Sequence, residues 1–200
     1  MPDMTGGIPD HQKPQFERAT RAFQEATSEC VTADDLQTFL EATSGIDAPP
    51  AERLLWLAGE LDRRAFERGW HGLRAIFQAA ATANPTDAFI LYSWGNAARE
   101  WADERMTPAL ADQREIAAEA ERVLHAALEL APRESAIAHA LGLVHYDNAF
   151  RADKSQAEFV EALEWFRLAV EWDADNAIAQ LYRAHCYHDL EDWGRAIAEY

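Results

Sequence analysis

His185-Cys186-Tyr187-His188 is the one short run in the 200 residues whose side-chain types could do chemistry. Two histidines three apart on a helix can share a metal ion. His139, His145 and Tyr146 lie some forty residues earlier, but no third ligand is spaced to complete a set. The chain has no HExxH, no glycine-rich phosphate loop, no G-x-S-x-G and no zinc-type cysteine pairing. Its two cysteines, Cys30 and Cys186, form no CxxC pair and predict a reducing, cytoplasmic setting. Carboxylates are many but scattered, and nothing singles out Glu134, Glu161 or Asp189 as an acid–base pair. The expectation is no enzyme, no metal and no cofactor.

Whatever these residues do, helices must position them. Hydrophobic residues make up 48% of the chain, while Gly (9) and Pro (8) are few. That composition supports a core and favours helix throughout. The formal charge of −17 would repel nucleic acid and anionic membranes, so a basic or neutral partner fits better. The N-terminus has no signal-peptide pattern, and no apolar run is long enough to span a bilayer.

In chain order, residues 1–10 read as a flexible tail. Residues 11–48 read as an N-terminal helical pair, a cap or degenerate repeat. Its first helix carries Phe16, Ala19, Phe23 and Ala26; its second is capped by Thr32 through Asp35 and ends at Ser44-Gly45. From 49 to 200 a series of helical hairpins follows, the last incomplete. Pro49-Pro50 opens the first, which turns near Gly69, and its second helix, carrying Trp70, Leu73, Phe77 and Ala80, stops at Asn84-Pro85. Later helices begin at Ala88, after Thr107-Pro108, at Ser135 and at Ala177, the one from Ala88 reaching about Arg105. A protruding loop is expected over Tyr146–Ser155, where Asp147-Asn148 and Asp153-Lys154 fall.

Small and aromatic residues recur in fixed order through Ala162, Phe166, Ala169 and Trp172, then Ala184, Tyr187, Trp193, Ala196 and Tyr200. Ala162 to Ala196 is 34 residues, as is Phe166 to Tyr200. The chain resembles the tetratricopeptide repeat (TPR) family, whose helix–turn–helix unit has that period. The resemblance covers about 50–200 and is clearest after Ala120. One interval never varies: Ala80 to Gly95, Ala127 to Gly142 and Ala169 to Ala184 are each 15 residues. Full repeats vary, with Gly95 to Gly142 spanning 47 and Gly142 to Ala184 spanning 42. The added residues therefore lie inside the hairpins: longer helices in one repeat, the protruding loop in the next. Trp70, Trp172 and Trp193 are read as packing residues.

The resemblance implies an all-α fold, a right-handed α-solenoid of about four TPR-like hairpins. It implies a protein–protein interaction scaffold holding a peptide or helical segment in a concave groove. Laid on this sequence, the family's groove positions are Phe89, Tyr92 and Asn96, then His139, Leu143 and Tyr146, then Ile178, Tyr182, His185 and His188. Asn96 would bond a peptide backbone. The family's clamp for a C-terminal carboxylate is not expected, because Tyr92, Ala140, Ile178 and Tyr182 stand where basic or amide residues would be needed. The chain stops inside an expected helix, so two alternatives stand beside the adaptor. One is a regulatory or sensor domain of a longer polypeptide; the other is a self-assembling unit, a homo-oligomer through the uncapped C-terminal end.

Overall fold

The computed structural model describes residues 7–27, 31–63, 69–103 and 109–199. Every regular element among them is a helix. The chain divides into two compact units, Met1–Ile90 and Leu91–Tyr200.

The first unit holds α1 (Lys13–Ala26), α2 (Ala33–Ala42), α3 (Pro50–Arg63) and α4 (Gly69–Ala83). In α1 the helical spacing buries Phe16, Ala19, Thr20 and Phe23 on one face. Thr32 caps α2 as a full capping box: its Oγ1 accepts from the Asp35 backbone N–H at 3.2 Å, and Asp35 Oδ2 accepts from the Thr32 N–H at 2.8 Å. The Thr32 hydroxyl also donates to Asp35 Oδ2 (2.7 Å), and this bond, then the one from the Thr32 N–H, holds the Asp35 carboxyl below its usual range. Phe39 meets Phe16 and Phe23 edge to face, with centroids 5.8 and 5.9 Å apart. Arg53 on α3 donates to the Leu40 carbonyl (2.9 Å), one of the groups that end α2 without a helical partner. Helix α3 is buried nearly all round, from Leu54 through Ala58 to Leu61, and packs along α4. Of the expected flexible tail, 1–10, residues 7–10 are described. Ile8 is buried, and Gln12 and Lys13 donate backbone bonds to Pro9, so residues 7–10 belong to the packed unit. Residues 1–6, Cys30 and Thr107-Pro108 lie outside the described residues.

Helix α5 (Ala88–Trp101) begins in the first unit and continues into the second; the end expected near Arg105 lies outside the described residues. The second unit adds α6 (Leu110–Leu130), α7 (Ser135–Arg151), α8 (Gln156–Trp172), α9 (Ala177–Asp189) and α10 (Trp193–Glu199). Each packs on its neighbour in sequence, α7 with α8 most extensively. Helices approach closely where a side chain is missing. A Cβ on Gly95 would lie 2.4 Å from Leu124 Cγ, and one on Gly142 would lie 2.6 Å from Phe166 Cε1. The two glycines thus set the α5–α6 and α7–α8 separations.

The invariant 15-residue interval has a simple origin. The links from α4 to α5, α6 to α7 and α8 to α9 are all four residues, 84–87, 131–134 and 173–176. Two of them are tied by side chains. Asp87 Oδ1 accepts from the Phe89 N–H (2.9 Å) at the start of α5. At the last link Asn176 Oδ1 accepts from the Ala179 N–H (3.0 Å), its Nδ2 donates to Ser135 Oγ (2.9 Å), and Ser135 Oγ donates to the Ala169 carbonyl (2.8 Å). This relay joins α7, α8 and α9.

The loop expected over Tyr146–Ser155 is largely helix, because α7 runs to Arg151 and only 152–155 turn. Asp147 and Asn148 are not loop residues but anchors. Asp147 pairs with Arg99 (3.0 Å), Arg151 Nη1 donates to Asn148 Oδ1 (2.9 Å), and Ala149 is fully buried. Asp153 and Lys154 do turn, with positive φ of 53° and 60°. Trp193, expected in the core, is 55% exposed and rests its ring on His188.

Candidate functional site

Tyr146 and Tyr182 anchor a continuous aromatic face on α7, α8 and α9. On α7, His139, Leu143 and Tyr146 follow i, i+4, i+7 spacing; on α9, Ile178, Tyr182 and His185 do the same. Tyr182 is the centre. Its ring stacks on Phe166 (5.3 Å, 24°) and meets Tyr146, His185 and His139 at 5.4, 5.6 and 5.9 Å. Tyr146 extends the cluster to Phe150 (5.3 Å) and Phe159 (5.7 Å). Beneath lies a core of Ala138, Ala162, Phe166, Ala169, Ala179 and Cys186, against which Leu143 packs. The small residues on α7, α8 and α9 let the rings sink between the helices.

Polar contacts fix the rings. The Tyr146 hydroxyl donates to Asp189 Oδ2 at 2.9 Å. Burial, then that bond and the carboxylate's charge, raise the phenol above its ordinary range. Burial, then the charge of Arg99, pushes His139 down to about 4, so its imidazole is neutral at pH 7, and Nε2 is buried without a hydrogen-bond partner. Cys186 is a buried free thiol, pushed up to about 12 by burial and then by Asp189. None of these three groups is poised to exchange a proton near neutral pH. The face offers aromatic surface, an exposed aliphatic edge at Ile178 and Leu181, and a few fixed hydrogen-bonding groups.

Six of the ten residues singled out from the sequence meet here or border it directly: His139, Leu143, Tyr146, Ile178, Tyr182 and His185. His188 does not join them; it turns to Trp193 (4.8 Å) and Asp189 (3.5 Å). Phe89 belongs to the first unit, where it lines a separate cavity. Asn96 on α5 donates its amide to the Tyr92 carbonyl of its own helix at 3.2 Å, so that nitrogen is already engaged. Asp189 and Phe166, by contrast, carry the geometry and were not singled out. The signal for Asp189 was present: it continues the Tyr182, His185 stripe at i+7 and i+4. His185 and His188 thus lie against different neighbours, and no group of three or more His, Cys, Asp or Glu among the described residues could hold a metal ion.

No protein-family model matches the chain, and no curated protein matches it. No helix among the described residues is long and apolar enough to cross a membrane.

Proposed function

We propose that the chain is a TPR-like α-solenoid adaptor that receives a peptide or helical segment of another protein along the α7–α9 aromatic face. The observation that carries this reading is the cluster around Tyr182, with its exposed aliphatic edge. Aromatic surface held rigidly by packing is well suited to recognition, because little side-chain entropy is lost on binding. The constant four-residue links and the 15-residue interval support a stacked-repeat arrangement. With a charge of −17, a basic or neutral ligand in the cytoplasm is the natural partner. The test is affinity capture with wild type and an Ile178→Ser/His185→Ala variant, both checked for helix content by circular dichroism. A defined partner retained by wild type and lost by the folded variant supports the reading. Identical partner sets from both sink it.

A second reading is favoured by a specific observation. Trp193 and Ile197 on α10 are 55% and 77% exposed, and Ile178 and Leu181 on α9 are exposed as well. Such a surface on α9 and α10 suits self-association into a homo-oligomer. Mass that rises with concentration in light scattering, and a monomer on Ile197→Lys, would favour it over the adaptor.

A further inference from the structure

The first unit contains a cavity of about 350 Å³ whose walls combine aromatic surface with carboxylates. Gly7, Glu52, Leu55, Trp56, Asp87 and Phe89 line it. Asp87 is held by the Phe89 N–H (2.9 Å) and the Asn84 amide (3.4 Å). Both donors are neutral, so its charge is not cancelled. No Lys, Arg or His of the described residues forms an ion pair with Asp87 or Glu52. Trp56, only 4% exposed, meets Phe16 edge to face at 6.0 Å and 85°. Phe89 is half exposed. At the mouth, Gly7 leaves room: a Cβ there would already lie 3.4 Å from Trp56 Cζ2 and 3.6 Å from Glu52 Oε1.

We propose that this cavity binds an organic ammonium cation, its methyl or methylene groups against the Trp56, Phe89 and Leu55 walls and its charge facing Glu52 and Asp87. An anion is excluded by two carboxylates. A bare metal ion is a poor fit, because the space is roughly ten times the volume of a water molecule and its apolar walls cannot replace a hydration shell. A neutral apolar guest would shield the carboxylates from water with no compensating charge. An alkylated ammonium satisfies all three constraints. It is weakly hydrated, it is attracted to aromatic rings, and it neutralises the carboxylates. The charge of the whole chain draws cations towards it. Asp87 and Trp56 are held in place before any ligand arrives.

The source is either a free small cation or an alkylated lysine on a peptide, and the same experiment separates them. The full chain is titrated calorimetrically at low salt with choline and with 3,3-dimethylbutan-1-ol, its neutral isostere. A third ligand is a glycine-serine peptide carrying one trimethyl-lysine. Choline is expected to bind and the isostere to bind about tenfold more weakly. Glu52→Gln, at an exposed position, and Phe89→Leu are each expected to weaken choline about threefold to tenfold. Gly7→Leu, which fills the mouth and leaves both carboxylates, should abolish binding. A peptide that binds more tightly than choline assigns the source to a protein side chain; one that binds equally or less assigns it to a free cation. No choline binding up to about 20 mM, on the order of 2 kcal/mol of affinity, overturns the proposal. So does an isostere that binds as well, or folded Glu52→Gln and Gly7→Leu variants that bind like wild type.

Discussion

His139 sits where a positive charge would be costly, buried against both the Phe166 and Tyr182 rings and close to Arg99. Its folded pKa of about 4 lies below the ordinary value of 6.5. The folded state therefore binds fewer protons than the unfolded chain between those values. The stabilisation is complete above about pH 6.5 and is lost as pH falls through 4, amounting to roughly 3 kcal/mol. Carboxylates titrate nearby, so the measurement is a difference: urea unfolding of wild type and His139→Phe at pH 7 and pH 4.5. The variant should lose less stability on acidification, and equal losses would count against the buried neutral ring. Cys186 gives a second residue-scale test. In a Cys30→Ser background its thiol should react with a disulfide reagent only upon unfolding, with a rate rising sharply in denaturant. That His139 shares a face with Leu143 and Tyr146, and Tyr182 with Ile178 and His185, was legible, because i, i+4, i+7 spacing puts each set on one face of its own helix. That Asn96 binds its own helix, or that His188 turns to Trp193, was not, because side-chain rotation is decided by neighbours remote in sequence.

At the scale of the element, glycine explains how the hairpins close. Gly142→Ala would drive a methyl into the Phe166 ring and should cost about 1–3 kcal/mol, despite alanine's better helix propensity. Phe166→Leu alone should also destabilise, but the double variant should recover part of the loss, a coupling visible in a double-mutant cycle by chemical denaturation. Thr32→Ala should cost about 1 kcal/mol by removing the capping box of α2. Both features were readable in advance. The T-x-x-D spacing gave the cap, and the recurrence of Gly95 and Gly142 at one register gave the close approach. The extent of α7 was not. Asp147 and Asn148 have the composition of a turn, yet Asp147 is drawn into the helix by Arg99, 48 residues earlier. Local preference near the end of a helix is weak enough for one such pair to override it.

At the scale of the whole molecule, the surplus of acid shapes behaviour more than any one pair. With 35 acidic and 18 basic residues, self-repulsion opposes the compact state. Raising ionic strength from about 0.02 to 0.3 M should therefore raise the Tm by a few degrees, since the screening length falls from roughly 20 Å to 6 Å. A Tm that falls with sodium chloride would mean that the surface ion pairs dominate instead. The Ser135–Asn176–Ala169 relay acts against the same repulsion inside the second unit, where it pins three helices at one point. Its consequence is mechanical. A stack of helices joined only by apolar faces can peel from one end, helix by helix, under a small pulling force. A rivet through three of them makes α7, α8 and α9 share the load, so that they rupture together in one step.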